Sequence, residues 1–217
     1  MVARAFAAVL AVLVVTPLRA QTPPAATRDT GVVVAGLADS DVAAAITLGQ
    51  ERKNKKTFGF WGDADCSSII AAMNGQTREY YVLAQGPYGR IVDASAQAAR
   101  KYMPFGRADV SAEMRAPTLT VAVQQNLFDM KTAVVPVEHV VIRGVGAEGQ
   151  PLVVQPTHIA EMPAYYQNLL GAKIETKGVF ATFDPQALPP GELQIVVILS
   201  DKECHATIKD KDRDKIR

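Results

Sequence analysis

GVFATFDPQALPPGELQIVVILSDKECHATIK, residues Gly178 to Lys209, is the stretch on which the fold turns. Val179, Ala181 and Phe183 alternate with Phe180 and Thr182 until Asp184-Pro185, where the fixed φ and missing N–H of proline suit a turn. Pro189-Pro190-Gly191 closes a short connector. From Glu192 to Leu199, Leu193, Ile195, Val197 and Leu199 take one face, and Val196 and Ile198 take the other. Both faces are apolar, so this strand is expected to be covered on both sides. Ser200 to Glu203 is a turn by composition. The return strand sends Cys204, Ala206 and Ile208 one way and His205, Thr207 and Lys209 the other.

The period of two extends upstream as far as Thr118. Leu119, Val121 and Val123 alternate, Val137 to Arg143 and Leu152 to Ile159 read as strands, and Ala172 to Thr176 is a weaker one. Tyr165 to Leu170, YYQNLL, reads as a helical or loop insertion between them. About seven short strands with turn signals between them fit an antiparallel β-sandwich of the immunoglobulin-like sort. Cys66 and Trp61 fall before the strand-rich region, so the cysteine–tryptophan–cysteine pattern of antibody domains is missing.

Before Pro117 the period is largely helical. Asp39-Ser40-Asp41 offers an N-cap and an acidic first turn, and Val42, Ala45, Ile46 and Gly49 recur at helical spacing. The cations of ERKNKK, Glu51 to Lys56, complement the dipole of a last turn, or alternatively meet an anionic lipid or polymer. Ser67 to Met73 reads as a short helix stopped by Asn74-Gly75. Glu79 to Gln85 reads as a strand, and Gly86 to Gly89 as a turn. From Arg90, the residues Ile91, Ala94, Ser95, Ala98 and Tyr102 trace a narrow helical stripe. A further helical turn is expected at Asp109 to Met114.

The expected class is therefore α+β. Helix-containing residues 37–116 pack against a β-sandwich at 117–210, with a flexible lead at 21–36 and a solvated, charged tail at 211–217. The helix at 90–103 is the expected cover for Val196 and Ile198.

Residues 1–20 have the form of a secretory signal: Arg4, an unbroken apolar run from Ala5 to Val15, then Pro17 and the small Ala20. This predicts an exported protein, periplasmic or secreted, in a bacterial-type envelope, with no transmembrane segment in the mature chain. Export also gives the two cysteines, Cys66 and Cys204, an oxidising setting in which to pair. The net charge of +1 lacks the basic excess that phosphate binding requires, so no nucleic acid is expected as a partner.

Chemistry is sparsely signalled. Phe58, Phe60 and Trp61, among glycines, read either as a plug for the edge of the core or as a platform for sugar or peptide. Asp63 and Asp65 lie beside them, but two carboxylates fall short of the six to eight oxygens that calcium takes. Gly144, Gly146 and Gly149 spell G-x-G-x-x-G, yet Gln150 to Val154 reads as a strand, whereas a dinucleotide loop opens onto a helix. His139, His158 and His205 lack convergent companions, so neither a metal nor a cofactor is expected. The nucleophile motifs G-x-S-x-G, S-x-x-K, H-E-x-x-H and C-x-x-C are missing. The functional expectation is an exported, non-enzymatic module that binds a protein, peptide or glycan of the envelope; the alternative is a hydrolase with a dispersed site near Trp61, Asp63 and Asp65.

Overall fold

In the computed structural model the strands of the Gly178–Lys209 stretch form as their alternation requires, and the first is longer than expected. The structure describes residues 37–66, 69–72, 75–78, 80–128, 135–163, 165–169 and 172–217. These lie in one unit, Gly31–Arg217. The expected strand at 172–176 and the one at 179–183 are a single strand, β10 (Ala172–Phe183). Asp184 ends it by accepting from the Gln186 N–H at 2.9 Å, which nucleates a 3-10 turn at Pro185–Ala187. β11 (Leu193–Leu199) and β12 (Glu203–Ile208) follow as an antiparallel pair.

Two antiparallel sheets carry the molecule, which with its helices is α+β. The larger has the order β1 (Phe60–Asp63), β4 (Tyr80–Gln85), β5 (Leu119–Phe128), β10, β8 (His158–Glu161), and β9 (Tyr165–Leu169) also pairs with β10. The smaller has the order β12, β11, β6 (Val137–Val145), β7 (Pro151–Val154). Their facing residues make one core. Val82, Val121, Val123, Ala181 and Phe183 from the large sheet meet Val140, Ile142, Ile195, Val197 and Cys204 from the small one. The boundary expected at 116/117 runs through the large sheet, because β1 and β4 come from the helix-containing residues.

The Gly144–Gly149 run is the β6–β7 hairpin loop: the Gly146 N–H donates to the Gln150 carbonyl at 2.8 Å, and Gly149 turns at φ +84°. Ser67 to Met73, expected as a helix, instead supplies β2 (Ile69–Ala72), paired with β3 (Gly75–Arg78). Two adjacent β-branched isoleucines ahead of Asn-Gly are a hairpin signal that outweighs the capping pattern. The expected insertion is likewise a strand over 165–169, β9, paired with β10; two adjacent tyrosines carry a high strand propensity.

The helices sit elsewhere than expected. α1 (Asp39–Glu51) and α2 (Pro87–Arg100) pack on each other through Val42, Ala45, Ile46, Tyr88, Ile91 and Val92, while α3 is the short turn Ala112–Arg115. The expected turn at 86–89 opens α2 instead, with proline at the first helical position where its missing N–H costs nothing. α2 meets the large sheet through polar contacts. Arg90 donates to the Thr118 carbonyl at 2.9 Å and to the Thr120 hydroxyl at 3.1 Å, and Asp93 accepts from Gln85 at 2.5 Å and from the Phe58 N–H at 2.8 Å. It therefore does not cover Val196. The residues at 211–217 are not wholly solvated either: they form a 3-10 run over Asp210–Ile216 that buries Ile216 in the main core. The Arg217 carbonyl accepts from the Gly89 N–H at 3.4 Å, in the first turn of α2.

Candidate functional site

Strand alternation separates the residues singled out in the sequence. On β1, Phe60 points into the core, while Trp61 and Asp63 point to the outer face of the large sheet. Phe58 belongs to the helical cluster, its ring 5.8 Å from that of Tyr88 and 5.4 Å from the Arg52 guanidinium. Asp65 leaves the sheet and meets β12. Phe60 thus plugs the edge of the core, Trp61 lies on the exposed face, and the five residues form no single cleft.

Register shows what stands beside Trp61. Trp61 pairs with Leu83, Leu83 with Ala122, Ala122 with Phe180, and Phe180 with Ala160, so one apolar row crosses the outer face of the large sheet. Its two large aromatics are open to solvent, Trp61 at 39% and Phe180 at 37%. Leu83 and the small Ala122 lie buried between them. Three strand spacings separate the two aromatics, about 14 Å. The Trp61 indole N–H donates to the Thr57 carbonyl at 2.9 Å, which holds the ring and leaves its face, rather than its edge, for contact. Asp63, Tyr81 and Gln124 share the neighbouring row, and Thr182 flanks Phe180 on the other side.

The outer face of the small sheet carries charge. Arg143 on β6 forms a two-pronged pair with Glu203 on β12, at 2.7 and 2.9 Å. β11 lies between those strands, so the pair crosses it near Val196, which is fully buried and has Val141 and His205 as its strand neighbours. This charged strap replaces the helix expected over Val196. The network continues: His205 Nε2 lies 3.8 Å from Glu203, and His205 Nδ1 lies 2.9 Å from Asp65, whose other oxygen accepts the His205 backbone N–H at 2.7 Å. Burial alone would raise the Asp65 pKa, but these hydrogen bonds from His205 outweigh it and hold the carboxyl below its usual range. The hydrogen bonds from Arg143 likewise hold Glu203 low. Next to the clamp, Cys66 and Cys204 are joined in a disulfide with Cα atoms 5.3 Å apart.

Sequence reasoning did not reach that clamp, since its partners lie 140 residues apart. Both ring nitrogens of His205 face carboxylates. His139 bonds Gln155 at 2.9 Å on the small sheet, and His158 lies on the large one. Among the described residues no three histidine, cysteine or acidic side chains gather as a metal site, and no helix is long and apolar enough to cross a membrane.

No protein-family model matches this chain, and no curated protein or solved structure matches it significantly.

Proposed function

We propose that this chain is an exported, non-enzymatic binding module of the bacterial-type envelope, periplasmic or secreted, whose two facing sheets form an immunoglobulin-like sandwich. Its binding surface is the outer face of the large sheet. The observation that carries this reading is the row Trp61–Leu83–Ala122–Phe180, which displays two solvent-open aromatics at either end of a buried apolar centre. Two aromatics set about 14 Å apart suit an extended ligand better than a compact one. Of the protein, peptide and glycan ligands expected from the sequence, a glycan chain fits best. Sugar rings stack on aromatic faces, and Gln124 and Thr182 stand nearby to exchange hydrogen bonds with hydroxyls. The signal-like residues 1–20 and the Cys66–Cys204 bond support export, because disulfides persist in oxidising compartments.

Co-sedimentation with insoluble β-linked glycans, cellulose and chitin among them, tests the proposal. The wild type is expected to pellet with at least one of them. Trp61→Ala and Phe180→Ala should each weaken retention by about tenfold or more, the scale of an interface anchor. Unchanged retention in both variants, with their folding intact, would remove the sheet face from the account.

A further inference from the structure

At one end of the core the inner face of the large sheet changes character. The row Val82–Val123–Val179 is apolar, whereas the next, Tyr80–Gln125–Lys177, is polar. Glu161 pairs with Val179 and also faces inward. Alternation puts 125, 161 and 177 on this face; Glu161 and Lys177 are exposed at its end, but Gln125 is a buried polar residue where the pattern calls for an apolar one, as happens where a fold serves something other than its own stability. The three line a cavity of about 600 Å3 with Val137, Met162 and Val179. That volume falls within the range of small-ligand sites.

Gln125 sets the chemistry of this cavity. Its side chain is only 3% exposed, and its amide nitrogen donates to the Val135 carbonyl at 2.8 Å and to the Tyr80 hydroxyl at 3.1 Å. A carbonyl only accepts, so the amide atom facing Val135 must be nitrogen, and the orientation of the group is fixed. The Tyr80 hydroxyl donates to the same carbonyl at 2.9 Å and thereby accepts from Gln125. Both amide hydrogens are committed. The Gln125 Oε1 atom accepts from none of the described residues, and it is what Gln125 has left to offer the cavity.

We infer that this end cavity is a second binding site, separate from the aromatic row, which takes a small apolar group bearing one N–H or O–H donor. The donor bonds Gln125 Oε1, while the apolar body lies against Val137, Met162 and Val179. Lys177 and Glu161, both exposed, stand at the rim.

Indole and 1-methylindole differ in that donor and serve as the probes. Each is titrated into the whole 15N-labelled chain while amide shifts are followed. Indole is expected to move the amides of residues 161–162 and 177–179, and to bind roughly five- to tenfold more tightly than 1-methylindole, the scale of one hydrogen bond. Gln125→Met, which keeps the side-chain length and removes the acceptor, should abolish that preference. Should the variant fail to fold, the preference of the wild type still decides the matter. Equal affinity for both probes, shifts confined to other residues, or no saturable shift at millimolar concentration would each overturn the inference.

Discussion

At the residue scale, two positions carry more than their size suggests. Gly49 lies where α1 crosses α2, and an added Cβ would overlap the Val92 carbonyl oxygen and crowd the Ser95 side chain at 2.5 Å. The Ser95 hydroxyl donates to the Ile46 carbonyl at 2.7 Å in the same crossing, so the helices cannot separate without losing a buried hydrogen bond. Gly49→Ala is expected to lower stability by about 1–3 kcal/mol despite the better helix propensity of alanine, read as a lower urea midpoint. Asp65 acts through protonation. Its folded pKa is depressed, so its contribution is present above the unfolded value near 3.9 and is lost as the pH falls through the folded value. Melting temperatures measured down the acid limb should therefore fall less steeply for Asp65→Asn than for the wild type. Parallel curves would show that the His205 clamp contributes nothing to acid stability.

At the scale of the element, the Arg143–Glu203 strap over β11 is the unusual feature. Arg143→Ala opens the Val196–Val141 surface to water and leaves Glu203 with only the more distant His205 beside it. Exposed ion pairs contribute little, so the expected loss is about 1 kcal/mol, mostly from uncovered apolar surface. Arg143→Lys should recover only part of it, since lysine lacks the planar fork; equal stability of all three proteins would mean that the strap is ornamental. β10, β12 and β5 were legible because alternation between core and solvent marks them directly, and β11 because a short apolar run is bounded by turn signals. The cover on the outer side of β11 was not, because apolar residues at 196 and 198 say that something lies above them without saying what. β2 and β9 were misread because short apolar runs such as IIAA and YYQNL fit either period, and strand partners settle the matter only in three dimensions. Trp61 was legible as a platform or a plug. Its companion Phe180 was equally readable as the outward aromatic of an alternating strand, but nothing in the sequence placed the two in one row.

At the scale of the whole molecule, the Cys66–Cys204 bond joins the loop after β1 to β12 across 138 residues of chain. Closing so long a loop contributes about 5 kcal/mol in the chain-entropy model. Reduction is expected to lower the melting temperature sharply, and a thermal scan with and without dithiothreitol measures it. The Asp65–His205 hydrogen bonds beside the bond hold the same loop, so Asp65→Asn should increase the effect of reduction. Additive effects would mean that the two fastenings act independently.

The binding account rests on the outer face of the large sheet, and the protein carries its own reporter there, since Trp61 is the sole tryptophan. Its fluorescence should be followed while neutral tetrasaccharides of β-linked glucose and of β-linked N-acetylglucosamine are added to the wild type and to Phe180→Ala, which retains the reporter. The account predicts a saturable change in emission with at least one of them, weakened about tenfold or more in the variant. Emission that stays constant with both sugars, or a response that survives unchanged without Phe180, would contradict it.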